Sequence, residues 1–272
     1  MKNINTMLPV LRLTALFAIV VMSVTPMFAG DQHKAMIIKK GGRGKVTGMV
    51  RWLGATRAYE VQAGRARQQV AYREVEKIVL AKPPPQLAQA ARGVQRKQYA
   101  SAIPVLKKIR ESYEMLGPDL EATRWLADAY LGLNQVDNAV KMCEEVFREN
   151  PGAMTSGDLA GIYWQALIKK GEFTKLRRIL SDAVETGSRE VAAVAQIRRG
   201  DIDKEKGNLK KALQDGYLRT IILFQDIKSV QPEALFKAIE CHETLNEFQH
   251  AEKWRKRLLA GYPNSGYAKK LK

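Results

Sequence analysis

The stretch WLADAYLGLNQVDNAV, residues 125–140, decides the fold. It holds one large aromatic, several small residues and no reactive side chain, and it places Asn134 two residues before Val136 and five before Ala139. A turn residue followed by a bulky residue and then a small one returns along the chain at Lys97-Gln98-Tyr99-Ala100-Ser101-Ala102, Gly171-Glu172-Phe173-Thr174-Lys175-Leu176, Gly207-Asn208-Leu209-Lys210-Lys211-Ala212 and Asn246-Glu247-Phe248-Gln249-His250-Ala251. The closing residues 102, 139, 176, 212 and 251 are spaced 37, 37, 36 and 39 apart. A period of this size means stacked supersecondary units. A small residue suits two helices that cross closely, and Gly or Asn ahead of it suits the left-handed backbone that ends a first helix.

On these residues the chain resembles a tetratricopeptide repeat (TPR) protein. Leu126, Ala127 and Tyr130 fall on that family's Leu, Gly and Tyr positions, Ala139 on the small residue opening the second helix, and Pro151 on the closing proline. Thr123 at the family's Trp position, Leu176 at the small position of unit three and Arg199 at a Leu position of unit four depart from the pattern. The resemblance implies a mostly α, TPR-like α-solenoid of about five helical hairpins over residues 86–272, with longer helices or linkers and an irregular superhelix. It also implies a concave face built from first helices, on which Arg124, Asp128, Gln165, Lys169, Asp201, Glu205 and Glu240 are the candidate partner-binding residues. The stretches 199–213 and 251–268, with Tyr262, Pro263, Ser265 and Ala268, are similar to repeats of periplasmic TPR proteins of the outer-membrane assembly lipoprotein and cell-division coordinator groups.

Ahead of the repeats, residues 34–82 follow a period of two. The apolar pairs Met36/Ile38, Val46/Val50, Tyr59/Val61, Val70/Tyr72 and Ile78/Leu80 are punctuated by Gly41-Gly42-Arg43-Gly44, Gly54 and Gly64. This predicts a small antiparallel β module of four or five strands, SH3-like or Sm-like, whose modest core leans on the chain beyond it. The GGRGK run is read as a hairpin turn, because a phosphate loop needs Ser or Thr after Gly-Lys and a helix beyond, whereas Val46 and a strand come next here. Pro83-Pro84-Pro85 is the expected linker, residues 83–85.

Charge and the amino terminus suggest where the chain works. Lys and Arg total 45 against 28 acidic residues, a net +17, and twelve of those cations against three Glu lie between Lys34 and Lys82. Lys2 and Arg12 precede the apolar run Leu13 to Val24, which breaks at Pro26. This outline of a secretory signal over residues 1–29 predicts cleavage after Ala29 and a periplasmic or otherwise extracytoplasmic setting. An uncleaved membrane anchor is the alternative. No cysteine follows the run to carry a lipid. The basic module then favours an anionic envelope surface or an acidic protein face, and the signal disfavours nucleic acid.

Catalytic chemistry finds no motif. Neither a Gly-x-Ser-x-Gly elbow nor a His-Glu-x-x-His pair occurs, His33, His242 and His250 show no ligand spacing, with His250 expected in an inter-helix turn, and Asp201 with Asp203 is read as a solvated helix face. Trp125, Trp164 and Trp254 are expected in the core, and Trp52 is a candidate exposed contact. Cys143 and Cys241 are the only cysteines, placed in non-adjacent repeats, which excludes a disulfide scaffold. The reading is a non-catalytic scaffold without cofactor or metal that binds protein or peptide. The alternatives are an envelope enzyme subunit with an unrecognised active site and a membrane-anchored structural component.

Overall fold

The structure is a computed structural model, and it describes residues 31–271. The expected signal segment lies outside the described residues. Five strands, β1 (His33–Lys39), β2 (Lys45–Leu53), β3 (Ala58–Ala63), β4 (Ala66–Ala71) and β5 (Val75–Leu80), form one antiparallel sheet in the order β4-β3-β2-β1-β5. The β1–β2 turn uses left-handed backbone at Gly41, Gly42 and Gly44, closed by the Lys39 N–H donating to the Gly44 carbonyl. The inner face carries Ala35, Ile37, Val50, Tyr59, Val61 and Val70, all at most 2% exposed.

In β1 the expected parity is wrong by one residue: Ala35 and Ile37 point inward, and Met36 and Ile38 are only half-buried. The cause is the unbroken apolar run Ala35-Met36-Ile37-Ile38, which carries no alternation of its own. Pairing with β2 sets it, by placing Ile37 opposite Val46 and Ala35 opposite Gly48.

The sheet is completed by the helical region. Leu116, 3% exposed, joins its core from the loop after the second helix, Tyr59 donates to the Met115 carbonyl at 2.9 Å, and the His33 ring stacks on Tyr113 with centroids 3.7 Å apart. Asp119 fixes that loop by accepting from the Met115 and Gly117 amides at 2.8 and 2.9 Å.

Helices follow in hairpins: α1 (Pro85–Gln95) with α2 (Tyr99–Ser112), α3 (Pro118–Gly132) with α4 (Val136–Glu149), α5 (Asp158–Lys170) with α6 (Phe173–Thr186). In the fourth unit α7 (Arg189–Glu205) pairs with a second helix built from α8 (Leu209–Lys211), a π-helical stretch (Ala212–Tyr217) and α9 (Leu218–Leu223). The fifth joins α10 (Gln231–Thr244) to α11 (Phe248–Gly261), and the short α12 (Gly266–Lys269) packs against α10. Pro85 is the first residue of α1 rather than linker, because its fixed φ and missing N–H suit the first helical position. His250 likewise lies in the first turn of α11 rather than in the turn before it.

The five turns within the hairpins are built alike. Lys97, Asn134, Gly171, Gly207 and Asn246 are left-handed, with φ between 58° and 79°. The amide after each reaches back to a carbonyl five residues earlier: Gln98 to Gly93, Gln135 to Tyr130, Glu172 to Leu167, Asn208 to Asp203 and Glu247 to His242, at 2.8–3.0 Å. This is the Schellman closure. Beyond it, Ala102, Ala139, Leu176, Ala212 and Ala251 are each at most 3% exposed. Leu176 is therefore accommodated in the hairpin core of unit three without loss of the turn. Among the described residues no helix is long and apolar enough to cross a membrane.

Candidate partner-binding groove

First helices α1, α3, α5 and α7 pack directly in sequence order. Between α7 and α10 long charged side chains make the joint instead. Arg198 of α7 donates to both Glu233 oxygens of α10 at 2.6 and 3.2 Å, Lys237 of α10 returns to Asp201 at 2.6 and 2.7 Å, and Lys204 meets Glu240 at 2.7 Å. Arg198 also holds Asp201 one turn along its own helix, and the Tyr217 hydroxyl donates to Asp201 at 2.9 Å. Burial pushes the Asp201 and Glu233 carboxyls up, but the Arg198 and Lys237 charges more than reverse it, so both sit below the ordinary carboxylate range.

Two cavities open along this face. One, about 410 Å³, is lined by Gln165 and Lys169 of α5, by Asp201 and Glu205 of α7, by Glu240, Phe236 and Lys237 of α10, and by Tyr267 and Lys270. The other, about 470 Å³, is lined by Arg124 and Asp128 of α3, by Asp158, Ile162 and Gln165 of α5, and by Glu190, Val191 and Val194 of α7. Gln165 borders both, so the two cavities adjoin. The structure thus brings all seven candidate residues to cavity walls on the first-helix face.

Their environments differ. Gln165, Lys169 and Glu205 are exposed, Arg124 is half-buried in an ion pair with Asp158 at 3.2 Å, and Glu240 is taken up by Lys204. Asp128 is half-buried, and burial raises its carboxyl against the lowering effect of Arg124. The Asp201/Asp203 pair is a correction to the sequence reading. At 9% and 2% exposed they do not form a solvated face; Asp201 belongs to the Arg198–Lys237 cluster, and Asp203 receives the Arg177 guanidinium at 2.7 Å.

Trp125 and Trp164 are buried, the latter donating to the Met154 carbonyl at 2.9 Å, while Trp254 is half-buried. Trp52 is not a free surface contact either. It is half-buried against Tyr59 and Tyr72, with centroids 4.9 and 5.8 Å away. Sequence reasoning missed Arg198, Glu233, Lys237 and Lys270. The i,i+4 spacing of Glu233 and Lys237 was a legible sign of a shared helix face, but nothing local announced the partner on α7.

No protein-family model matches the chain, and no curated protein matches it. Among solved structures it is similar to "MamA MSR-1 C2" at 14% identity over 62% of this chain and 94% of that one, with a TM-score of 0.42. It is also similar to TTC0263, a thermophilic TPR protein of Thermus thermophilus, at 16% identity over 68% and 96%, with a TM-score of 0.47. The helical region is TPR-like. Its five identical hairpin closures and the stacking of its first helices carry that statement.

Proposed function

We propose that this protein is a non-catalytic extracytoplasmic scaffold that holds a protein or peptide partner along the groove of its first helices. The observation behind the reading is that candidate residues from α3, α5, α7 and α10 line two cavities that meet at Gln165. Such a surface holds a segment through contacts spread over several units. The β module adds a second contact: Lys40, Arg43 and Lys45 stand exposed around the β1–β2 turn and favour an anionic envelope surface.

Affinity capture from a native envelope extract tests the groove, with the unaltered chain beside an Arg124→Glu/Lys169→Glu variant. Loss of the captured protein from the variant is expected, and equal recovery overturns the assignment. Reversal of charge at Lys40, Arg43 and Lys45 is expected to lower binding to vesicles containing anionic lipid and to leave groove capture intact. Amino-terminal sequencing of the mature protein is expected to begin after Ala29; intact residues 1–29 overturn secretion.

A further inference from the structure

The two cavities carry opposite excess charge. Around the α3–α5–α7 cavity Arg124 is neutralised by Asp158, which leaves Asp128 and Glu190 without an ion-pair partner among the described residues. In the α7–α10 cavity the buried charges cancel within their own cluster, and the cations left over are Lys169 and Lys270 against the single anion Glu205. Lys270 is held over the Phe236 and Tyr267 rings, its nitrogen 5.5 and 5.1 Å from their centroids, so this end joins positive charge to an aromatic wall. Between the ends, Ile162 and Ile168 are half-buried, and the exposed Gln165 amide offers one donor face and one acceptor face.

Resting on the reading of this face as a peptide groove, we infer that it takes an extended peptide whose two ends carry opposite charge. The acidic end of the peptide lies against Lys169 and Lys270, and its basic end against Asp128 and Glu190. An amide at the centre matches a peptide backbone. A second copy of this chain is the poorer occupant, since each copy carries a net charge of +17.

The test uses two fluorescein-labelled ten-residue peptides of identical composition. One has an Asp-Asp start, a Gln- and Leu-containing middle and a Lys-Lys end; the other carries an Asp-Lys pair at each end. Fluorescence anisotropy with the full mature chain is expected to show an affinity difference of about tenfold, which shrinks as salt rises. A variant with Asp128→Asn, Glu190→Gln, Lys169→Gln and Lys270→Gln is expected to abolish the preference. If both peptides bind equally, the inference of opposite-charged ends falls and the peptide groove stands. If neither binds, both fall. A preference that survives unchanged in the variant removes these four residues from the assignment.

Discussion

The five left-handed turn positions permit a test in which backbone torsion is separated from packing. Gly171 and Gly207 have φ of 79° and 76°, and a Cβ added at either would meet nothing within 4 Å. Gly171→Ala and Gly207→Ala therefore change the torsional term alone. A left-handed L-residue costs about 1–2 kcal/mol, and relief of the glycine entropy returns about 0.5–1. Each variant should thus lose about 0.5–1 kcal/mol. Lys97 occupies the same position at φ 62°, so Lys97→Gly should gain a similar amount. Gly161 supplies the control: it lies inside α5 with ordinary helical φ and also has open space around its Cβ, so Gly161→Ala should stabilise by about 1 kcal/mol. The same Gly→Ala change then has opposite signs ten residues apart. Urea unfolding followed by far-UV circular dichroism reads this as midpoint shifts of about 0.3–0.5 M, taking a slope near 2 kcal/mol/M. Equal signs for Gly161→Ala and Gly171→Ala, or a loss with Lys97→Gly, would refute the repeated-cap argument.

Unit four and the cysteines supply three further expected outcomes. Gly216 faces Gly200 so closely that a Cβ would overlap the Gly200 Cα; Gly216→Ala should cost about 1–3 kcal/mol and lower the thermal midpoint by several degrees. Asp201→Asn leaves Arg198 and Lys237 short of an anion and should cost about 3–5 kcal/mol at neutral pH by chemical denaturation. Because the folded Asp201 and Glu233 sit below their ordinary values of 3.8 and 4.5, their contribution is whole above those values. It fades as pH falls through the lower folded values, so the gap between Asp201→Asn and the parent should close on acidification. A gap that is constant down to pH 2 would contradict this. Burial pushes the Cys143 thiol up to about 12 and the Cys241 thiol up to about 11. Neither should react with a thiol reagent at pH 8 until guanidinium unfolds the chain, when both should.

How much of this was legible in the sequence depends on how local each signal is. The hairpin closures were readable because a left-handed turn selects Gly or Asn within a few residues of the Ala it precedes, and the interval recurs. That the seven candidate residues share the first-helix face was readable by carrying the repeat from unit to unit, which requires only that first helices keep one phase. The inward face of β1 was not, since four consecutive apolar residues fit either parity and the choice is made by a partner strand. Nor was the state of Asp201 and Asp203, whose charges read as solvated until Arg177 and Lys237 approach from other helices.

The charged joint between α7 and α10 has its origin in one place of the repeat. Trp125 stands fourteen residues before Ala139, and Arg198 stands fourteen before Ala212, so the two occupy the same position in their units. Both are buried, at 8% and 7% exposed. In unit two the indole packs with hydrophobic neighbours from its own and adjacent helices, a contact that needs no partner on a particular element. In unit four a guanidinium at that place must have anions within reach, and they come from Asp201 on its own helix and Glu233 on the next first helix. Lys237 then balances both carboxylates. The joint between α7 and α10 is consequently built from long side chains, which leaves the 410 Å³ cavity between them. The close Gly200–Gly216 contact and the π-helical stretch beneath it bring the Tyr217 hydroxyl to Asp201 from the opposite side. A cation at this place of the repeat thus accounts for the charged joint, and a large apolar residue at position 198 alone should not close the cavity, because Asp201, Glu233 and Lys237 would still need one another.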